Sequence, residues 1–306
     1  MFAQPEAQEA AAEGFNAGDV IIEHVSNSSH DHPLIQLPTL YGIDFSVTKH
    51  VFMLWLVAAI VFLVVTLVVR AYLRQERMIP RGFMNSLEAL VEYLRDSVVQ
   101  PNVGSKWVNT WTPLLLTLFI FILAANAIGL IPIFDFIELL DHFVLHLNEE
   151  SFLARLMHGG TTATANYNVT AALAMITFGA IIVAGSKAHG FVKHWKNLMP
   201  GGVSPALGIA LIPIEILGML VRPFALTMRL VANMTGGHIA ILAILSFVFI
   251  FTQMAGAAVG MGVGLVFSVP LAVGISALEI IVVLVQAYVF TLLTAVFIGM
   301  AIHAHH

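Results

Sequence analysis

Long stretches without a charged side chain constrain this sequence more than any other feature. Residues 51–69, 107–134, 159–186, 230–278 and 280–306 contain no Asp, Glu, Lys or Arg. A helix that crosses the hydrocarbon core of a membrane needs about 20 mostly apolar residues. Only 10% of all residues are charged, whereas a soluble domain has about 25%. The sequence therefore predicts a polytopic, all-α integral membrane protein with about five membrane helices.

Composition excludes several classes of function. The chain has no cysteine, which rules out disulfides, thiol nucleophiles and iron–sulfur sites. Its net charge is −5 and its basic residues are few and scattered, so we expect no nucleic-acid partner. No His-Glu-x-x-His run is present, which excludes a metalloprotease of that type. We expect no metal and no cofactor, and interpret the histidines near both ends as parts of solvated segments.

Basic residues predict the orientation. Residues 1–33 carry only acidic charges, and residues 1–40 are interpreted as a polar outer tail without a signal peptide or a mitochondrial presequence. Basic clusters follow the first span, about 50–69, and the third, about 167–186. The clusters are Arg70, Arg74, Arg77 and Arg81, then Lys187, Lys193 and Lys196. By the positive-inside rule both are cytoplasmic, which predicts an outer N-terminus and an inner C-terminus for the membrane domain, 41–306.

Two segments between the spans have their own patterns. Residues 83–100 have apolar side chains at helical spacing, which predicts an amphipathic helix on the inner membrane surface or packed on another subunit. Asn85 and Glu88 have the spacing of a capping box at the start of that helix. The second span, about 112–133, leads into an acidic outer loop, in which 136–157 are predicted to form a short surface helix.

The last third of the chain is apolar for too long to form ordinary spans. Each of the stretches 205–252 and 262–303 would be roughly 60–70 Å long as one helix, about twice the hydrocarbon core. Each stretch is therefore either two spans or one long tilted helix of a hairpin. The residue pattern alone leaves both alternatives open.

Ionisable side chains occur inside these apolar stretches, where they are costly and point to function. On an ideal helix, Asn233 lies on the face of Arg229, whereas His238 lies about 180° away. Glu279 and Gln286 share a face of the last helix. A histidine and a carboxylate that face each other across a hairpin can pass protons, and Asn126 can line a wet path. The pattern indicates two proton-accessible zones on either side of Arg229. A secondary transporter is the main alternative, but it favours paired carboxylates.

The segment from Glu215 to His238, EILGMLVRPFALTMRLVANMTGGH, resembles the signature of subunit a (subunit 6) of F-type ATP synthases. The resemblance continues in EIIVVLVQAYVF from Glu279, in NAIGLIP from Asn126 and in NYNVTAALA from Asn166. It covers about residues 85–303 and implies that 205–303 form two long, tilted proton-channel helices.

The resemblance also implies roles for individual residues. Arg229 matches the essential arginine that faces a rotating ring of c subunits, and Glu215 matches the carboxylate of the inner half-channel. Six residues match the outer half-channel: His238, Glu279, Asn126, Asn233, Gln286 and, more weakly, Asn168. Asn166 departs from the family pattern, which commonly has Asp there, so it receives no proton-carrying role.

The same resemblance implies the setting. The chain would be a non-catalytic part of an ATP synthase, with the c-ring, b-type peripheral-stalk subunits, the rest of the complex and the lipid bilayer as partners. The expected location is the bacterial inner membrane, with the mitochondrial inner membrane as the alternative.

Overall fold

The computed structural model describes residues 18, 21–22, 34–38, 46–74, 81–131, 162–196 and 205–303. Within these residues the fold is all-α, apart from an isolated antiparallel bridge between Ile35 and Val47. Five of the helices are long and apolar enough to cross a membrane. These findings confirm the predicted fold class.

The first three membrane-length helices coincide with the three predicted spans. They are α1 (Lys49–Leu73), α3 (Val108–Leu130) and α4 (Tyr167–His189). Helix α1 exposes large apolar side chains, with Phe62 at 73% and Leu63 at 57% exposure. Apolar side chains exposed to this extent are unfavourable in water and stable in lipid, so this exposure fits a helix that faces hydrocarbon.

The amphipathic segment is helical, as the sequence predicts. We call it α2; it consists of Phe83–Tyr93, a π-helical turn Leu94–Val99 and Gln100–Val103. The predicted capping box is wrong, because the helix starts at Phe83 after Gly82, without a side-chain cap. Gly82 has a φ of +58°, a conformation that glycine adopts without steric cost. Asn85 therefore lies inside the first turn instead of preceding it.

The two long apolar stretches are long helices. Helix α6 runs unbroken through Pro205–Ala255, 51 residues, or roughly 75 Å. Helix α7 follows as Ala257–Val263, a π-helical turn Gly264–Ser268, and Val269–Ile302. Gly256, with a φ of +88°, separates them. Of the two alternatives that the sequence left open, the long helices are correct.

The chain divides into two compact units. The hairpin unit comprises residues 1–50, 130–162 and 233–282, and the bundle unit comprises 51–129, 163–232 and 283–306. The bundle unit has an apolar core in which side chains of α2, α3, α4, α6 and α7 are buried, among them Leu94, Leu115, Ile181, Leu226 and Ile298. A short helix, α5 (Phe191–Lys196), follows α4.

Two predictions concern residues that the structure describes little or not at all. The outer loop helix at 136–157 lies outside the described residues. The division into a tail, 1–40, and a membrane domain, 41–306, is not tested and stays a prediction.

Candidate functional site

The hairpin unit brings together two of the ionisable residues selected from the sequence. His238 on α6 and Glu279 on α7 lie with Nδ1 and Oε1 3.9 Å apart. The carboxylate side chain is only 9% exposed and the imidazole 29%. His238 Nδ1 also lies 3.0 Å from the carbonyl oxygen of Met234, one turn earlier on α6. The histidine and the carboxylate that the sequence placed on separate helices therefore form a close, largely buried pair.

Gly237 makes room for this pair. A Cβ atom built on Gly237 would overlap Oε1 of Glu279, and it would lie 2.7 Å from Cδ and 3.1 Å from Cγ. At the adjacent Gly236 a Cβ would meet nothing within 4 Å. Of the two neighbouring glycines, only Gly237 is needed for the close approach of the carboxylate. Sequence reasoning missed this role, because the identity of the side chain opposite a glycine depends on how α6 and α7 pack.

Thr162 extends the polar contacts of His238. Its hydroxyl oxygen lies 3.5 Å from Nε2 of the imidazole, and the residue is only 2% exposed. Both ring nitrogens of His238 therefore have polar neighbours. A histidine with partners on both sides can take a proton at one nitrogen and release one from the other. Sequence reasoning did not select Thr162, although the polar run TTATAN before α4 was visible.

Two further predicted channel residues are buried in the bundle unit. Asn126 on α3 is fully buried, and its Oδ1 accepts a hydrogen bond of 2.5 Å from the hydroxyl of Thr164. Its Nδ2 is buried without a hydrogen-bond partner among the described residues. Gln286 on α7 is 4% exposed. A buried amide donor with no partner is unfavourable in a dry site, so the surroundings of Asn126 favour water or another polar group beside its Nδ2 atom.

Asn166 and Asn168 lie at the start of α4. The Oδ1 atom of Asn166 accepts a hydrogen bond of 2.9 Å from the backbone N–H of Asn168, so Asn166 is the N-cap of the helix. Asparagine is among the preferred N-cap residues. The departure from the family's Asp therefore keeps a capping oxygen while removing an ionisable group. The side chain of Asn168 is exposed.

Glu215 forms an ion pair on its own helix. Its Oε1 atom lies 3.8 Å from Nη2 of Arg222, two turns further along α6. The guanidinium of Arg222 also lies 5.5 Å from the ring centroid of Phe297. Sequence analysis selected Glu215 but did not predict its pairing with Arg222. Because both side chains are partly exposed, the pair contributes at most about 1 kcal/mol to stability.

Arg229 and Asn233 lie on the exposed surface of α6. In the part of the chain that the structure describes, Arg229 forms no ion pair. An arginine at membrane depth costs from about 3 to more than about 10 kcal/mol unless it is solvated or paired. The geometry of this chain therefore leaves a permanent positive charge facing outwards from a membrane-length helix.

The predicted site residues fall in both units. His238, Glu279 and Asn233 belong to the hairpin unit, and Asn126, Asn168, Glu215, Arg229 and Gln286 to the bundle unit. Close pairs join His238 to Glu279, Asn126 to Thr164 and Glu215 to Arg222. Among the described residues, no group of three or more His, Asp or Glu side chains is arranged to hold a metal ion.

Comparison with known proteins finds similarity to one family. The profile of the family described as "ATP synthase A chain" matches residues 51–299. ATP synthase subunit a of Chlorobium phaeobacteroides is 40% identical, over 97% of this chain and 80% of the relative. ATP synthase subunit a 2 of Chlorobium luteolum is also 40% identical, over 96% and 79% of the two chains. The protein of the same description from Chlorobaculum tepidum is 37% identical, over 98% and 77%.

Proposed function

The chain belongs to the ATP synthase A chain family, and from this premise we propose that it forms two proton half-channels beside a rotating c-ring. As a family member it is a multi-pass membrane protein and a component of an F-type ATP synthase. The observation that carries the proposal is the exposed charge of Arg229, which has no carboxylate partner in the described part of its own chain.

Arg229 acts on a carboxylate supplied by the ring. Its positive charge favours the ionised form of a carboxylate that faces it. A guanidinium does not deprotonate in proteins, so Arg229 cannot itself relay a proton between the half-channels. It therefore serves as both an electrostatic partner for the ring and a barrier to proton leakage. The chain breaks no covalent bond itself; ATP is made elsewhere in the complex.

The outer half-channel delivers protons to the ring. His238 and Glu279 are its central pair, supported by their separation of 3.9 Å and by their partial burial. To the same half-channel we assign the neutral polar residues Asn126, Asn233 and Gln286 and, more weakly, Asn168, as the family pattern implies. A ring carboxylate that receives a proton becomes neutral and can enter lipid, where a charge would be costly.

The inner half-channel takes the proton away near Glu215. After nearly a full turn of the ring, the protonated carboxylate meets this zone and releases its proton to the other side of the membrane. Arg222 lies 3.8 Å from the Glu215 carboxylate in a partly exposed pair, and it is not assigned to the proton path. A membrane potential of 100 mV supplies about 2.3 kcal/mol per proton, so several protons are needed for each ATP.

The basic clusters support an orientation for this mechanism. By the positive-inside rule the N-terminus faces outwards and the C-terminus lies in the cytoplasm of a bacterial cell. The c-ring contacts the Arg229 face of α6, and b-type stalk subunits contact α2 and the early spans.

The test compares two arginines of the same helix. We expect Arg229→Ala to abolish ATP-driven acidification of inverted membrane vesicles at equal complex content, with ATP hydrolysis still measurable. Arg229→Lys should not restore full pumping, because an ammonium lacks the planar fork of donors and can lose its proton. Arg222→Ala is the matched control, and it should retain most of the pumping.

Two results would refute the role of Arg229. Pumping by Arg229→Ala at the wild-type rate would show that the charge is not required for coupling. Equal loss of pumping in Arg222→Ala and Arg229→Ala would show that α6 needs its positive charges for a shared structural reason.

A further inference from the structure

A basic and aromatic surface at the end of α4 takes no part in the proposed proton path. We call it the α5 surface; it consists of Lys187, Phe191, Val192, Lys193 and Trp195. Phe191 is 64% exposed, Val192 66% and Trp195 38%, and both lysines are exposed as well. Large apolar side chains exposed next to two cations are unusual on a surface that faces only water.

A buried histidine fixes the direction of this surface. His194 is only 6% exposed, and its ring lies so close to Gly185 on α4 that a Cβ atom there would overlap it. The chain turns at Gly190, which has a φ of +88° and donates its N–H to the carbonyl oxygen of Ser186 at 2.8 Å. His194 is held against α4, while Phe191, Val192 and Trp195 are exposed on the same short helix.

Within the described residues, the two lysines of the α5 surface have no acidic partner. The sequence contains no Asp or Glu from residue 151 to residue 214. In the described part of the chain, Lys187 and Lys193 form no ion pair. The surface therefore presents two lysines without an ion pair in the described chain beside exposed aromatic and aliphatic groups.

This combination matches one kind of partner. The α5 surface directly follows a membrane-length helix, α4, so it lies at the boundary between membrane and water. Tryptophan is enriched at this depth, because its ring is apolar and its N–H is polar. Lysines near an anionic leaflet are attracted to its head groups. We propose that the α5 surface binds anionic phospholipids, with Lys187 and Lys193 at the phosphate groups and Phe191, Val192 and Trp195 among the upper acyl carbons.

The absence of cysteine from the chain allows a direct test. Val192→Cys, labelled with bimane, reports on lipids at the α5 surface in the assembled complex in nanodiscs, with the cysteines of other subunits replaced. Quenching by brominated phosphatidylglycerol is compared with quenching by brominated phosphatidylcholine at equal mole fraction. Leu63→Cys is the matched control, since Leu63 is 57% exposed on α1 and lies in a charge-free stretch.

We expect the anionic lipid to quench the label at position 192 about twofold or more better than the zwitterionic lipid at low ionic strength. At position 63 the two lipids should quench equally. The excess at position 192 should disappear in Lys187→Gln/Lys193→Gln, and it should persist in Lys187→Arg/Lys193→Arg, which keeps both charges. It should also fall at about 1 M salt, where the Debye length is only about 3 Å.

Two outcomes would overturn the proposal. Equal quenching by both lipids at position 192 would mean that the surface meets lipid without selecting its charge. No quenching by either lipid at position 192, with normal quenching at position 63, would mean that a protein subunit covers the α5 surface. Neither outcome bears on Arg229, so the lipid proposal and the proposed function fail separately.

Discussion

Replacing Gly237 by alanine should disable the outer half-channel without unfolding the protein. The added methyl group would overlap Oε1 of Glu279 and lie 2.7 Å from its Cδ atom. Non-bonded carbons prefer a separation of about 3.5–4.0 Å, so the carboxylate must retreat by about 1 Å. This retreat would lengthen the 3.9 Å separation of His238 and Glu279 by up to about 1 Å.

The substitution should change the rate of proton transfer much more than the stability of the protein. Alanine in a helix interior is more favourable than glycine by about 1 kcal/mol, whereas overpacking costs about 1–3 kcal/mol. The net change in stability is therefore at most about 2 kcal/mol. A displacement of about 1 Å, by contrast, slows reactions between aligned groups by up to about a hundredfold. We expect the rate of proton transfer to fall at least about tenfold in an assembled complex.

The assay is the initial rate of ATP-driven acidification of inverted vesicles, normalised to the amount of assembled complex. Gly274→Ala is the control, since it lies on the same helix as Glu279 and its Cβ would meet nothing within 4 Å. It gains the same helix propensity without the overlap and should pump like wild type. Wild-type pumping by an assembled Gly237→Ala complex would refute the argument, since the position of the carboxylate would then not limit transport.

Three further predictions follow from other contacts. Thr162→Val removes the hydroxyl 3.5 Å from Nε2 of His238, so ATP-driven acidification should slow severalfold, whereas Thr162→Ser should stay near the wild-type rate. Equal rates in Thr162→Val and wild type would exclude Thr162 from the path. Arg222→Gln breaks a partly exposed ion pair with Glu215 worth at most about 1 kcal/mol, so native gels should show a near-normal amount of assembled complex. Loss of the assembled complex would contradict this low value. Burial, and then the charge of a neighbouring histidine, lower the pKa of His194 from 6.5, so its contribution to stability is lost as the pH falls below about 6.5. In thermal unfolding at several pH values, the melting temperature of His194→Phe should fall less on acidification than that of wild type. An equal fall in both proteins would refute this role of His194.

Several features of this fold could be predicted from local sequence. The spans α1, α3 and α4 follow from charge-free stretches, because a membrane helix must be apolar around its whole circumference. The start of α2 was predicted wrongly, because the spacing of Asn85 and Glu88 matches a capping box but does not show where the helix begins. Gly82 determines that turn through its positive φ.

The candidate site was only partly predictable. His238 and Glu279 stand out in the sequence because ionisable groups are rare within apolar stretches. Their contact depends on the hairpin at Gly256 and on the absence of a side chain at Gly237. Thr162 could not be selected, because a threonine next to an apolar stretch is common and only packing brings it to the imidazole.

By itself the sequence determined the class of protein, the family and the residues that carry charge into the membrane. These properties depend on composition and local spacing, which hydration and helix geometry translate directly into structure. Only the tertiary structure decided that Glu279 reaches His238 across Gly237, and that Glu215 pairs with Arg222 while Arg229 has no ion-pair partner in the described chain. Contacts of this kind depend on how side chains that are distant in sequence pack together, and local sequence patterns do not predict that packing.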